Sequence, residues 1–106
     1  MRHMFALASS FDQPVGAWDV SNAELNYMFY EATSFDQDIS SWHVSHSAKG
    51  ILTGASSFNQ DLCSWGTNLQ TTTEFDEDAF VDTACPEEGE PDLLAAPAGP
   101  FCHVCA

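Results

Sequence analysis

Two sets of side chains in this 106-residue chain have types and spacings that could do chemistry. The first is sulfur. Cys63, Cys85, Cys102 and Cys105 are the four cysteines, and the last two form the run CHVC around His103. A Cys-x-x-Cys pair is half of a tetrahedral zinc site, or a redox centre when it opens a helix in a βαβ unit. His103 lies inside the pair and points the wrong way to complete a zinc set, while Cys63, Cys85, His43 and His46 show no paired ligand spacing. The pair follows APAGPF, which is no helix opening, and a c-type haem site would need histidine where Ala106 stands. Four oxidised cysteines allow three pairings. Cys63 ends the last regular segment and Cys85 falls in the capping region, so a Cys63–Cys85 staple is the expected link, consistent with an extracellular protein.

The second set is carboxylate. Asp12 and Asp36 share a column with Asn59, and Asp38 shares one with Asp61 and Pro14, giving rows of acids a few ångströms apart if the segments stack. Like charges so close repel and call for compensation. Calcium with oxygen ligands at Asp12, Asp36, Asp38 and Asp61 is one answer. Aspartates bonding turn amides is the ordinary one, and no calcium-loop spacing occurs. No cofactor is assigned. His43 and His46 read as surface turn residues, and no Gly-rich phosphate loop, nucleophile elbow or His-Glu-x-x-His is present, so the chain is not expected to be an enzyme.

These residues form columns because the segments that carry them recur. SFDQPVG at 10–16, SFDQDIS at 34–40 and SFNQDLC at 57–63 are each followed by a tryptophan at the same offset, Trp18, Trp42 and Trp65. Phe11, Phe35 and Phe58 are 24 and 23 residues apart. Such a period is that of one supersecondary unit stacking on its neighbours. Within a unit, NYMFYEA at 26–32 clusters Met28, Phe29 and Ala32 as one or two helical turns would. SFDQDIS alternates as a half-buried strand does, with Phe35, Gln37 and Ile39 on one side. The expected fold is an α/β repeat solenoid, leucine-rich-repeat-like, with short parallel strands alternating with short helical turns. Phe11, Phe35 and Phe58 would form one buried column, Trp18, Trp42 and Trp65 another, and Gln13, Gln37 and Gln60 an amide ladder bonded along the axis. Pro14 lacks a ladder N–H and makes the first strand an edge.

Bulk properties set further bounds. No run of about 18 apolar residues is present to span a bilayer, and MRHMFALASSF shows no export signal. A net charge of −14 opposes binding to nucleic acid. Nine of the sixteen acids fall between Glu74 and Asp92, where a solvated, solubilising face is the ordinary reading. From Cys85 onward the chain holds four of five prolines and three of four cysteines without periodicity. Residues 1–74 thus read as about three repeats, and 75–106 as a degenerate capping repeat with a Cys/Pro-rich acidic tail.

The phrases MFYEATSFDQDISSWHVS and GASSFNQDLCSW resemble the repeat of the BspA-like leucine-rich-repeat surface proteins over Met4 to Leu69. AFVDTACP at 79–86 looks like a degenerate fourth turn serving as a cap. The resemblance implies a noncatalytic extracellular or cell-surface module for recognition or adhesion to a protein or glycan, here as part of a longer repeat protein. The alternatives are a purely structural C-terminal cap and a zinc-binding tail module. Departures from the repeat concentrate after the tryptophans, in SNAELNY, SHSAKGI and TNLQTTTEF.

Overall fold

In the computed structural model, which describes residues 3–105, the chain winds through three successive coils (3–24, 25–47 and 48–70) and a closing segment from 71 onward. The α/β repeat solenoid expected from the sequence does not form. Among the described residues there is no α-helix and no β-strand, only the 3-10 helix Cys63–Asn68 and three isolated bridges. The radius of gyration is 12.1 Å, against about 13 Å for a compact domain of 100 residues. The protein is a small globule of turns closed by two disulfides.

Left-handed residues explain the missing helix. Tyr27 and Glu31 have φ of 57° and 54°, and their counterparts are His3 and Leu7 in the first coil and Gly50 and Gly54 in the third. A left-handed residue breaks the i to i−4 bonding of an α-helix. NYMFYEA therefore closes as successive three-residue turns, with Met28 N–H on Leu25 O, Tyr30 N–H on Tyr27 O and Ala32 N–H on Phe29 O. The intervening amides point along the stack: Tyr27, Phe29 and Glu31 donate to the carbonyls of Lys49, Ile51 and Thr53 in the next coil.

The missing strand has a different cause. Where SFDQDIS should pair with its neighbours through backbone carbonyls, side chains take the carbonyls' place. Asp36 N–H donates to Asp12 Oδ1 at 3.0 Å, and Asn59 N–H to Asp36 Oδ1 at 2.9 Å. A carboxylate between coils bridges a separation that a strand ladder, at about 4.8 Å, would close directly. With no strand present, Pro14 is simply an exposed residue of the first coil.

The interior is an aromatic stack. Phe11, Phe35 and Phe58 follow one another at 5.9 and 5.8 Å, and Phe5 and Phe29 form a parallel column at 5.6 Å. The two columns face each other, with Phe29 and Phe35 centroids 4.0 Å apart. Trp42 and Trp65 are buried, and each indole N–H donates to a carbonyl of the coil before, Val15 O at 3.0 Å and Ile39 O at 2.9 Å. A buried indole needs such a partner.

The two ends differ. At one, Phe101 lies edge-on to Phe75 at 5.5 Å and to Trp65 at 6.3 Å, sealing the last coil. The disulfides hold it there, and they pair Cys63 with Cys105 and Cys85 with Cys102, correcting the expected Cys63–Cys85 staple. Cys63 is brought to Cys105 because Leu62 N–H bonds Phe101 O, while Ala84 N–H on Phe58 O and Glu87 N–H on Cys102 O seat the Cys85 segment. At the other end Trp18 stays 41% exposed, with Met4 and Leu7 more so.

Candidate functional site

The residues with potential chemistry separate into those committed to the frame and those left on its surface. All four cysteine sulfurs are in disulfides, and Cys102 and Cys105 belong to different ones. The CHVC run therefore offers neither a zinc-binding thiolate pair nor a local redox disulfide. His103, between them, keeps Nε2 buried with no hydrogen-bond partner among the described residues.

The carboxylate column is a set of clips between coils. Asp12 Oδ1 accepts from Asp36 N–H and from Gln37 Nε2 at 2.8 Å; Asp36 Oδ1 accepts from Asn59 N–H and from Gln60 Nε2 at 3.0 Å. The expected amide ladder is thus replaced by glutamine bonding aspartate of the preceding coil, and Gln13 stands exposed. The Asp-Gln pair is one device: the aspartate accepts from the next coil while the glutamine donates to the previous one.

The second row turns inward on its own segment. Asp38 Oδ1 caps Ser40 N–H and Asp61 Oδ1 caps Cys63 N–H, both at 2.9 Å. In the same way Asp19 Oδ1 accepts from Ser21 N–H at 3.1 Å and Ser21 Oγ at 2.6 Å. The Ser21 and Ser40 hydroxyls, followed by the backbone amides of the same residues, hold the Asp19 and Asp38 carboxyls below the usual carboxylate range. Among the described residues no group of three or more His, Cys, Asp or Glu is placed to hold a metal ion. The four acids considered as a calcium row are therefore paired with backbone and amide donors.

What remains accessible is a strip on the return side of the coils. One open depression is lined by Trp18, Asp19, Ser21, Ser41 and His43; the next shares Ser21 and His43 and adds Asn22, Ser45, His46 and Gln70; a third continues through Glu24, Asn26, Thr71 and Glu74. Hydroxyl-to-carbonyl bonds hold its floor, with Ser45 Oγ on Ser21 O, Thr72 Oγ1 on Ser45 O and Thr73 Oγ1 on Val44 O at 2.9 Å. Asn26 Oδ1 binds Ser47 Oγ and Lys49 N–H, and Lys49 Nζ reaches Glu74 at 3.4 Å. Asn22, His43, Gln70 and Thr71 are exposed above that floor. The segments in which the coils differ most, 21–27, 45–51 and 67–75, are thereby brought side by side. Reading His43 and His46 one at a time as turn residues missed this shared strip, although the concentration of departures after each tryptophan was its signal.

The family model described as Mycoplasma protein of unknown function, DUF285, matches residues 1–83. The chain belongs to this family. The DUF285 match spans all three coils and stops before Cys85, so both partners of the Cys85–Cys102 disulfide lie outside it. No curated protein and no solved structure matches the chain. Among the described residues no helix is long and apolar enough to cross a membrane.

Proposed function

We propose that this DUF285 protein is a noncatalytic recognition module that works at the cell surface or outside the cell, meeting a protein or glycan through the return-side strip. The observation that carries this reading is the division of labour between columns. Positions that repeat, the Phe, Asp, Gln and Trp columns, are spent on joining coils. Positions that vary, such as Asn22, His43, His46 and Gln70, line one continuous polar strip with Trp18 at its edge. A constant frame presenting variable side chains on one face suits binding. Two disulfides suit an oxidising compartment, and the resemblance of the repeats to those of the BspA-like surface proteins points the same way.

The test is a screen of the oxidised chain against immobilised glycans and surface-protein extracts, repeated with His43→Ala and Gln70→Ala. Both side chains are exposed, so folding should be retained. Loss of a captured partner in both variants is the expected result. A partner captured equally well by both would remove the strip from the account.

A further inference from the structure

The return-side strip is not uniform in charge along its length. Its middle depression, where Asn22, His43, His46, Gln70 and Thr71 stand over serine and threonine hydroxyls, is lined by hydroxyl, amide and imidazole groups and by no carboxylate, ammonium or guanidinium. Acids flank it on both sides: Asp19 in the depression before, Glu24 and Glu74 in the one after. Lys49, the one lysine of the chain, is engaged by Glu74 at 3.4 Å. A ligand laid along the strip therefore meets hydrogen-bonding groups at the centre and negative charge at each end. In a chain of net −14, that arrangement repels an anion.

The central groups are also uncommitted. Among the described residues the side chains of Asn22, His43, His46, Gln70 and Thr71 have no hydrogen-bond partner, whereas the floor hydroxyls of Ser45 and Thr72 are spent on the carbonyls of Ser21 and Ser45. The floor is fixed before anything binds, which lowers the ordering cost of a complex. The residues lining the middle and third depressions are all polar. A protein partner draws most of its affinity from large side chains anchored in desolvated pockets, and these two depressions offer no apolar wall for one.

We propose that the occupant is an uncharged, linear oligosaccharide lying along the coils, an assignment that rests on the strip being the recognition surface. Sugar hydroxyls both donate and accept, and so do the amides, imidazoles and hydroxyl that face them. These groups come in step with the coils: Asn22 from the first, His43 and His46 from the second, Gln70 from the third. The coils repeat at the 5.9 and 5.8 Å of the phenylalanine column, close to the length of a single pyranose unit in a linear glycan. Each coil thus faces about one sugar. Sialylated, sulfated and uronate glycans are the class that the flanking acids turn away.

The probes are cellotetraose, chitotetraose, mannotetraose and galactotetraose, together with the form of each binder oxidised to carboxylate at its primary alcohols. Each is titrated into the isotope-labelled, oxidised full chain and followed by NMR. The expected result is that a neutral probe shifts the side-chain amide signals of Asn22 and Gln70 and the ring signals of His43 and His46. Its affinity should fall several-fold in His43→Ala and in Gln70→Ala, and its carboxylate form should shift nothing at the same concentration. No shift with any neutral probe would overturn the proposal, as would a carboxylate form that binds as tightly as its parent. If both variants lose a surface protein that the native chain captures while no oligosaccharide binds, the strip remains a recognition surface and only the glycan assignment falls. A neutral probe bound equally by the native chain and both variants would remove the strip itself.

Discussion

The carboxylate of Asp36 holds the amide of Gln60 at 3.0 Å and, through the same Oδ1, the backbone N–H of Asn59 at 2.9 Å. One oxygen thus joins the second coil to the third at a place where a β-strand would use a carbonyl. Asp36→Ala leaves two donors without their acceptor and should cost about 1 kcal/mol, the low end for a lost bond because water reaches the site. Asp36→Asn keeps an acceptor and should cost less. Urea denaturation of the two variants measures the difference, and equal midpoints would mean that the clip adds nothing.

The tryptophans should rank by their indole bonds. Trp42→Phe and Trp65→Phe each remove an indole bond to Val15 O or Ile39 O, carbonyls that keep the backbone N–H of Trp18 or Trp42, and are expected to destabilise by about 1 kcal/mol. Trp18→Phe loses no such bond and should change stability by less than about 0.5 kcal/mol. Thermal unfolding of the three variants would show the order; a Trp18 effect as large as the others would contradict it.

Gly54 has φ of 77°, and a Cβ added there would sit 2.7 Å from Glu31 Cγ. Gly54→Ala therefore combines a left-handed alanine with a clash, and a loss of about 1–2 kcal/mol is expected from the backbone alone. Glu31, in the equivalent position one coil earlier, has φ of 54°, so Glu31→Gly should be neutral or stabilising. Denaturant midpoints of both variants would decide whether the left-handed positions are as strict as the coils imply.

Disulfide mapping should recover peptides linking Cys63 to Cys105 and Cys85 to Cys102, with no alkylatable thiol before reduction. In a chain-entropy account, links spanning 42 and 17 residues contribute about 4 and about 3 kcal/mol. Cys63→Ser with Cys105→Ser should thus lower the midpoint at least as far as Cys85→Ser with Cys102→Ser. Recovery of a Cys63–Cys85 peptide instead would overturn the arrangement of the closing segment.

Acid should act on Asp38 through Ser40. A carboxyl held below its ordinary value of 3.8 favours the folded state above that pH, and the contribution fades as pH falls through the lower folded value. Removing the hydroxyl with Ser40→Ala should move the Asp38 titration, followed by NMR, up towards 3.8. No movement would assign the shift to the Ser40 amide alone. Calcium is a separate matter: with Oδ1 of Asp12, Asp36, Asp38 and Asp61 engaged, added calcium or chelator should leave the melting temperature where it is.

Much of the packing was legible from spacing. The 24- and 23-residue intervals place Phe11, Phe35 and Phe58 in a column because any backbone of that period brings equivalent positions together. The path of the backbone was not legible. NYMFYEA carries helix-like spacing, yet Tyr27 and Glu31, residues that rarely adopt positive φ, are left-handed there. The signal was one coil away, in Gly50 and Gly54, and a column read down the repeats would have exposed it. SFDQDIS alternates like a strand for a related reason: its apolar residues do point inward, but aspartate replaces the carbonyl ladder that would make it one. The glutamines were read as partners of each other because like stacks on like, whereas their offset from the aspartates sets the actual bond. The return-side strip lay in the parts that repeat least, where columns carry no information.

The Cys63–Cys105 bond also decides how the molecule answers a pull. Tension applied between the two ends travels along the backbone to Cys63, crosses the sulfurs and leaves through Cys105, so the 41 residues from 64 to 104 carry none of it. Stretched under oxidising conditions, the chain should come up short by about 140 Å of contour, at some 3.4 Å per residue. The seal over the last coil is mechanically silent, and only the coils before Cys63 would yield.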